Sequence, residues 1–244
     1  MDLGLAGKVF VVTGGSRGLG RAAAESLRQE GAELVLCGRD PGAVARTADE
    51  LGVIGVVADL TDPQTPARLV EAAQAAYGRL DGALISVGGP PTGSALTVSD
   101  EQWRASFESV FLGPVRLSRA VVEALPDEGG AVAFVLSTSV KQPIPGLAAS
   151  NGLRPGLAML AKTMADELGP RGIRVNGLLP GRILTDRLRG LLEQEPEDDA
   201  RTIPLGRYGE PAEFGRVAAF VLSPAASYLS GTMIAVDGGA MRAL

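Results

Sequence analysis

Val9-Phe10-Val11-Val12-Thr13-Gly14-Gly15-Ser16-Arg17-Gly18-Leu19-Gly20 is the stretch whose reading decides the fold. Four apolar residues make a buried strand, the glycines let the backbone turn tightly, and a helix follows. That helix start offers unpaired N–H groups and the positive end of a dipole, the surroundings a dinucleotide pyrophosphate needs. Glycines also serve ordinary tight turns, so the reading needs support from the rest of the chain.

Outward from that turn, apolar runs alternate with helix-period segments. Strands are predicted at 8–13, 32–37, 53–58, 81–87, 131–137, 173–179 and 232–236. Helices are predicted near 18–30, 41–51, 64–78, 99–125, 155–169 and 211–222. Continuous apolar strands imply a parallel sheet covered by helices on both faces, so the expected class is α/β, a doubly wound parallel sheet of the Rossmann type. The chain has 244 residues, 45% hydrophobic and 21% charged, which suits one domain over 1–244. The region 183–206 reads as irregular, with a solvated acidic run from Glu193 to Asp199 placed where a mobile lid over a cleft would lie.

Composition closes off several chemistries. A net charge of -5 without any basic run argues against a nucleic-acid partner. No apolar stretch has membrane-spanning length and the first residues carry no basic leader, so a soluble cytoplasmic protein is expected. The lone Cys37 excludes an internal disulfide or a cysteine-clustered metal site. With no histidine at all, Ser-His-Asp and Cys-His nucleophile machinery is excluded and the commonest metal ligand is missing, so no metal site is expected.

Three features support the cofactor reading. The second strand ends Leu36-Cys37-Gly38-Arg39, where an acidic side chain would ordinarily hold a ribose 2′-hydroxyl. Arg39, joined by Arg17 from the glycine turn, instead offers guanidinium groups suited to a 2′-phosphate, favouring NADP(H) over NAD(H). Asp59-Leu60 places a carboxylate after the third strand, where an adenine amino group could lie. Gly88-Gly89-Pro90 after the fourth strand lets backbone pass close to a ligand.

These segments together resemble the short-chain dehydrogenase/reductase family, and among its members the 3-oxoacyl-carrier-protein reductases. Thr13 to Gly20 is similar to the family's TGxxxGxG turn, and Arg171-Gly172-Ile173-Arg174-Val175-Asn176 to its sixth strand. Pro180-Gly181-Arg182-Ile183-Leu184-Thr185 resembles its PGxxxT segment, and Gly206 to Pro211 and Val236 to Gly239 its C-terminal signatures. The resemblance implies a cofactor set of Gly14, Ser16, Arg17, Gly18, Leu19, Gly20, Arg39, Asp59, Leu60, Ser86, Gly88, Arg154, Pro180, Gly181, Ile183 and Thr185. It also implies hydride transfer to a small-molecule carbonyl or alcohol, and a homotetramer or, next, a dimer; Pro90, Pro91, Pro143, Ile144, Pro145, Leu184 and Leu188 point to a mostly apolar cavity and an apolar substrate.

At the catalytic positions the resemblance breaks down. The family's tyrosine falls on Ser150, its lysine on Arg154 and its asparagine on Val110, while its serine falls on Ser137, or on Ser139 if the loop has shifted. Tyr77, Tyr208 and Tyr228 lie far away in sequence. The implied catalytic set is therefore Ser137, Ser150 and Arg154, with a non-standard proton donor. Arg154 would keep the lysine's hold on the cofactor ribose and lose its proton-relay role, because a guanidinium does not shuttle protons. Lys141 becomes an alternative acid if it is buried. Gly152 and Pro155 predict an irregular start, with the regular helix beginning near Pro155 and running to about Leu168. The competing class is a nucleotide-binding sensor or regulatory subunit without turnover.

Overall fold

The computed structural model describes residues 2–194 and 200–243. Seven parallel strands form one sheet in the order β3-β2-β1-β4-β5-β6-β7, with β1 at Val9–Val12, β2 at Glu33–Gly38, β3 at Ile54–Val57, β4 at Gly82–Ile85, β5 at Gly130–Val135, β6 at Ile173–Pro180 and β7 at Met233–Val236. Strand order reverses between β1 and β4, and sheets of this kind bind ligands beyond the carboxyl ends of the strands at such a point. The doubly wound arrangement expected from the alternating pattern is present.

One face of the sheet is covered by α1 (Gly18–Gln29), α2 (Pro41–Leu51) and α8 (Pro211–Leu222), the other by α3 (Thr65–Tyr77), α5 (Gly113–Ala124) and α6 (Ala148–Leu168). Phe10, Leu27, Leu34, Leu84 and Phe214 fill the first layer; Val11, Leu69, Leu117, Phe134 and Leu157 fill the second. The edge strand β3 is largely exposed, so its apolar run marks propensity more than burial.

Three local expectations need correction. The helix foreseen over 99–125 is α4 (Asp100–Ser106), a π-helical stretch Phe107–Leu112 and then α5. Pro114 lacks the N–H that would bond Val110 four residues back, so the ladder slips there. The helix expected near Pro155 begins seven residues earlier, at Ala148. Asn151 pins that first turn by accepting from the Ile144 amide at 3.1 Å and donating to its carbonyl at 2.8 Å, while Gly152 lies flat beneath the Trp103 ring. Those tertiary ties outweigh the one amide donor that proline deletes. Finally, the region read as irregular holds α7 (Asp186–Gln194) and a short turn at Ala200–Thr202. Most of the acidic run, residues 195–199, lies outside the described residues. No described helix is long and apolar enough to cross a membrane.

Candidate active site

At the switch point, Thr13 ties the exits of β1 and β4 together. Its buried hydroxyl donates to the Ser86 carbonyl at 2.7 Å and accepts from the Ser86 amide at 2.8 Å. The turn that follows is built for glycine: Gly14 and Gly18 adopt φ of +59° and +55°, and a side chain at Gly20 would collide with the Gly14 carbonyl. Arg17, at the N-cap of α1, is extended and makes no side-chain cap, and the first turn contains no acidic residue. The helix therefore keeps its first amide donors and its dipole for a ligand. Buried Ser16 fits beneath Gly38, where any side chain would strike its hydroxyl at 2.6 Å.

The other expected cofactor residues gather around this cradle. Arg39 is exposed after β2 and lies 3.9 Å from Asp59, a surface pair too open to bind strongly on its own. Leu60 is buried and packs beneath Gly113. Gly88 is exposed, with open space around it. Pro180 ends β6, and Gly181 bonds the Val236 carbonyl at 3.0 Å. Ile183 is buried and bridged to Gly209. The Thr185 side chain comes within 3.6 Å of where a Gly18 Cβ would stand, so the segment after β6 meets the turn after β1. A phosphorylated dinucleotide fits this donor set: uncapped amides at its centre, the Arg39 guanidinium after β2, Arg17 at the N-cap, and no carboxylate in the first turn of α1.

The residues expected at the catalytic positions lie beyond β5. Ser137 is extended, and its hydroxyl accepts from the Ser139 amide at 3.1 Å, holding the turn Thr138–Val140. That turn aims the Ser139 hydroxyl at Ser150 on α6, 3.1 Å away, with both residues buried. Of the two serines weighed from the sequence, Ser139 is thus the one brought against Ser150, and Ser137 supports it. One turn further along α6, Arg154 is 6% exposed and donates one bond, to the Val135 carbonyl at 2.8 Å. Burial, together with the nearby Arg187 charge, pulls its pKa down to about 10. Lys141 is exposed, so the burial its use as an acid would need is missing. Val110 is buried in the π-helical stretch. Tyr77 bonds the Leu34 carbonyl at 3.3 Å and Tyr228 is fully exposed, so neither reaches the serines.

Arg187 had no place in the sequence reading. It stands in the first turn of α7, reaching across Gly89 toward the Pro90 carbonyl at 3.5 Å. A side chain at Gly89 would collide with its guanidinium. The usable signal was the helical spacing of Leu188, Leu191 and Leu192 behind Asp186, hidden by the neighbouring acidic run. The walls of this end come from two loops clasped together: the Gly93 amide donates to Gly146 at 2.7 Å, and the Ala148 amide donates to Gly93 at 3.2 Å.

A doubly wound sheet with an uncapped glycine cradle at its switch point defines a dinucleotide-binding protein. Residues 14–241 match a family model described as enoyl-(acyl carrier protein) reductase. Human dehydrogenase/reductase SDR family member 4 is 34% identical over 245 residues, covering 96% of this chain and 88% of that protein. The Escherichia coli 3-oxoacyl-[acyl-carrier-protein] reductase FabG is 31% identical over 236 residues, covering 96% and 97%. Among solved structures, L-sorbose reductase from Gluconobacter frateurii, complexed with NADPH and L-sorbose, superposes with a TM-score of 0.94 at 30% identity over all of both chains. A Pseudomonas aeruginosa short chain oxidoreductase described as containing an atypical catalytic center superposes at 0.91 and 30% identity, over 99% of this chain and 100% of that one. The chain belongs to the short-chain dehydrogenase/reductase family.

Proposed function

We propose that this protein is an NADP(H)-dependent oxidoreductase of carbonyl and alcohol groups whose proton donor is a pair of serine hydroxyls. The contact between Ser139 and Ser150 carries the reading, because it places two bonded hydroxyls at the reaction end of a cleft whose other end suits a phosphorylated dinucleotide. The family's relatives bind NADPH in at least one solved complex, and Arg39 with Arg17 supplies the matching cations here.

The nicotinamide, when bound, supplies or accepts the hydride. The chain's own residues handle the oxygen. Within the pair, one hydroxyl donates to the other, which leaves the second free to donate outward to a carbonyl oxygen. Negative charge that develops there is met by a preorganised donor held between two buried residues. The product alcohol and serine have similar acidities, so a proton passes from serine to the product alkoxide without a large uphill step and leaves a serine alkoxide. The partner serine and then solvent restore the donor. Arg154 remains protonated, holds ribose hydroxyls and adds positive charge beside the developing oxyanion. Ser137 positions Ser139 and touches nothing that reacts.

The test is NADPH consumption over a panel of short ketones and aldehydes, alongside calorimetric NADPH binding. Ser150→Ala should keep cofactor binding and lose about a hundredfold in kcat/KM, the usual worth of an oxyanion donor. Wild-type protein that binds NADPH and consumes none with any carbonyl would instead favour the sensor reading. For the assembly, exposed Phe107 and Met159 beside α4 and α6 support a homotetramer, to be checked by light scattering.

A further inference from the structure

Buried Arg154 and exposed Arg187 both stand beyond the carboxyl ends of the neighbouring strands β4 and β5. Arg154 projects from α6 and is tied to the carbonyl of Val135, the last residue of β5. Arg187 projects from α7 and leans over Gly89 to Pro90, beyond the end of β4. Their charges repel strongly enough to register on Arg154. Neither forms an ion pair among the described residues, and Arg154 makes no bond there besides the one to Val135. A guanidinium offers five donors; with one on Val135 and two for the ribose hydroxyls proposed above, two on Arg154 are left for a further partner. A buried, unneutralised cation such as Arg154 is costly, and a like charge acting on it adds to that cost unless an anion completes the set.

We infer that Arg154 and Arg187 together form a receptor for a carboxylate on the substrate, making this an oxidoreductase of oxo-acids or hydroxy-acids. The inference rests on the reading above and names its substrate class. Two anions are candidates for the gap: the cofactor diphosphate and a substrate carboxylate. The diphosphate belongs at the glycine turn after β1, where the α1 amides and Thr185 meet. The anchor of Arg154 is on β5, two strands along from β1 in the sheet order, about 10 Å away at ordinary strand spacing. An anion held by both arginines therefore sits over β4 and β5, on the same side as Ser139 and Ser150, which receive the carbonyl oxygen. A substrate with its carboxylate a few carbons from its carbonyl spans that separation. Planar guanidiniums suit a carboxylate because each can bond both of its oxygens.

The experiment uses pyruvate, acetoacetate and levulinate, which set the acid progressively further from the ketone, each compared with its methyl ester. Binding is read by thermal protection in saturating NADP+, which requires no turnover, and kcat/KM is read in parallel. At least one acid should bind and react about tenfold or more better than its ester. Arg187→Met should remove that preference while ester kinetics and NADPH affinity stay within about twofold. Arg187→Lys, which keeps the charge, should restore part of it. The proposal is overturned if no acid outperforms its ester, or if Arg187→Met weakens NADPH binding and leaves the acid preference intact, which would assign the pair to the diphosphate. Failure of the wider reading has another signature: no NADPH binding, and no turnover of acids or esters alike.

Discussion

Two arginines at opposite edges of the same sheet show what separates scaffold from site. At the amino-terminal edge, a groove of about 810 Å³ is lined by Lys8, Arg79, Asp81, Glu128 and Arg174. Lys8, Arg79, Asp81 and Arg174 are all bonded there. Arg174 donates to the carbonyls of Val221, Leu222, Ser223 and Leu229 at 2.8–3.3 Å, capping the end of α8 with a cation where the helix dipole favours one. Asp81 accepts from Lys8, from the Val9 amide and from Arg79. Arg154, at the carboxyl edge, has one internal bond and a second cation for company. Burial lowers the pKa of both arginines, yet only Arg174 has been given the partners that make burial tolerable. A buried charge left short of partners at the ligand edge of an open sheet is a mark of function, whereas the same charge fully bonded is architecture.

Substitutions sharpen that contrast. Arg154→Met should cost about a hundredfold or more in kcat/KM while leaving thermal stability level or slightly raised, since an apolar side chain replaces an under-paired buried cation. Stability measured by urea unfolding checks the second half, and a large loss of stability would make Arg154 structural. For Arg174→Met the order inverts. Four carbonyls lose their donor, so about 2–4 kcal/mol of stability should go, with the activity of the folded fraction changed less than threefold.

Asp81→Asn is the milder version. Burial alone would raise the Asp81 pKa, but the bonds from Arg79, the Val9 amide and Lys8 prevail and hold it below the ordinary carboxylate value. A depressed folded-state pKa contributes stability above the unfolded value and loses it as pH falls through the folded one. The variant should thus cost about 1–3 kcal/mol near neutrality, shrinking below about pH 4. A cost that persists undiminished in acid would remove the ionic explanation.

The cofactor half of the molecule was legible because its determinants are local. Gly14, Gly18 and Gly20 stand within one turn, Gly38-Arg39 ends one strand, and Pro180 to Thr185 follows another, so spacing alone conveys the local geometry. The reaction end depends on contacts that spacing does not reveal. Ser139 and Ser150 are eleven residues apart and meet through a short turn held by Ser137. Arg187 belongs to a helix whose apolar spacing was obscured by the acids after it. The start of α6 was misjudged because Pro155 acts locally, whereas Asn151 bonded to Ile144 acts through the fold.

Central to the proposal is that protons move here through hydroxyls, with no acid in the site that titrates near neutrality. The pH profile of kcat tests it most directly. The account predicts a rate that is level from about pH 6 to 9, because the chain has no histidine and serine hydroxyls do not titrate there. Above that range the rate should fall as Arg154, with its pKa near 10, begins to lose its charge. A single ionisation with a midpoint between about pH 6.5 and 8.5, preserved in the Ser139→Ala/Ser150→Ala double variant, would contradict it by revealing a tuned acid elsewhere in the cleft.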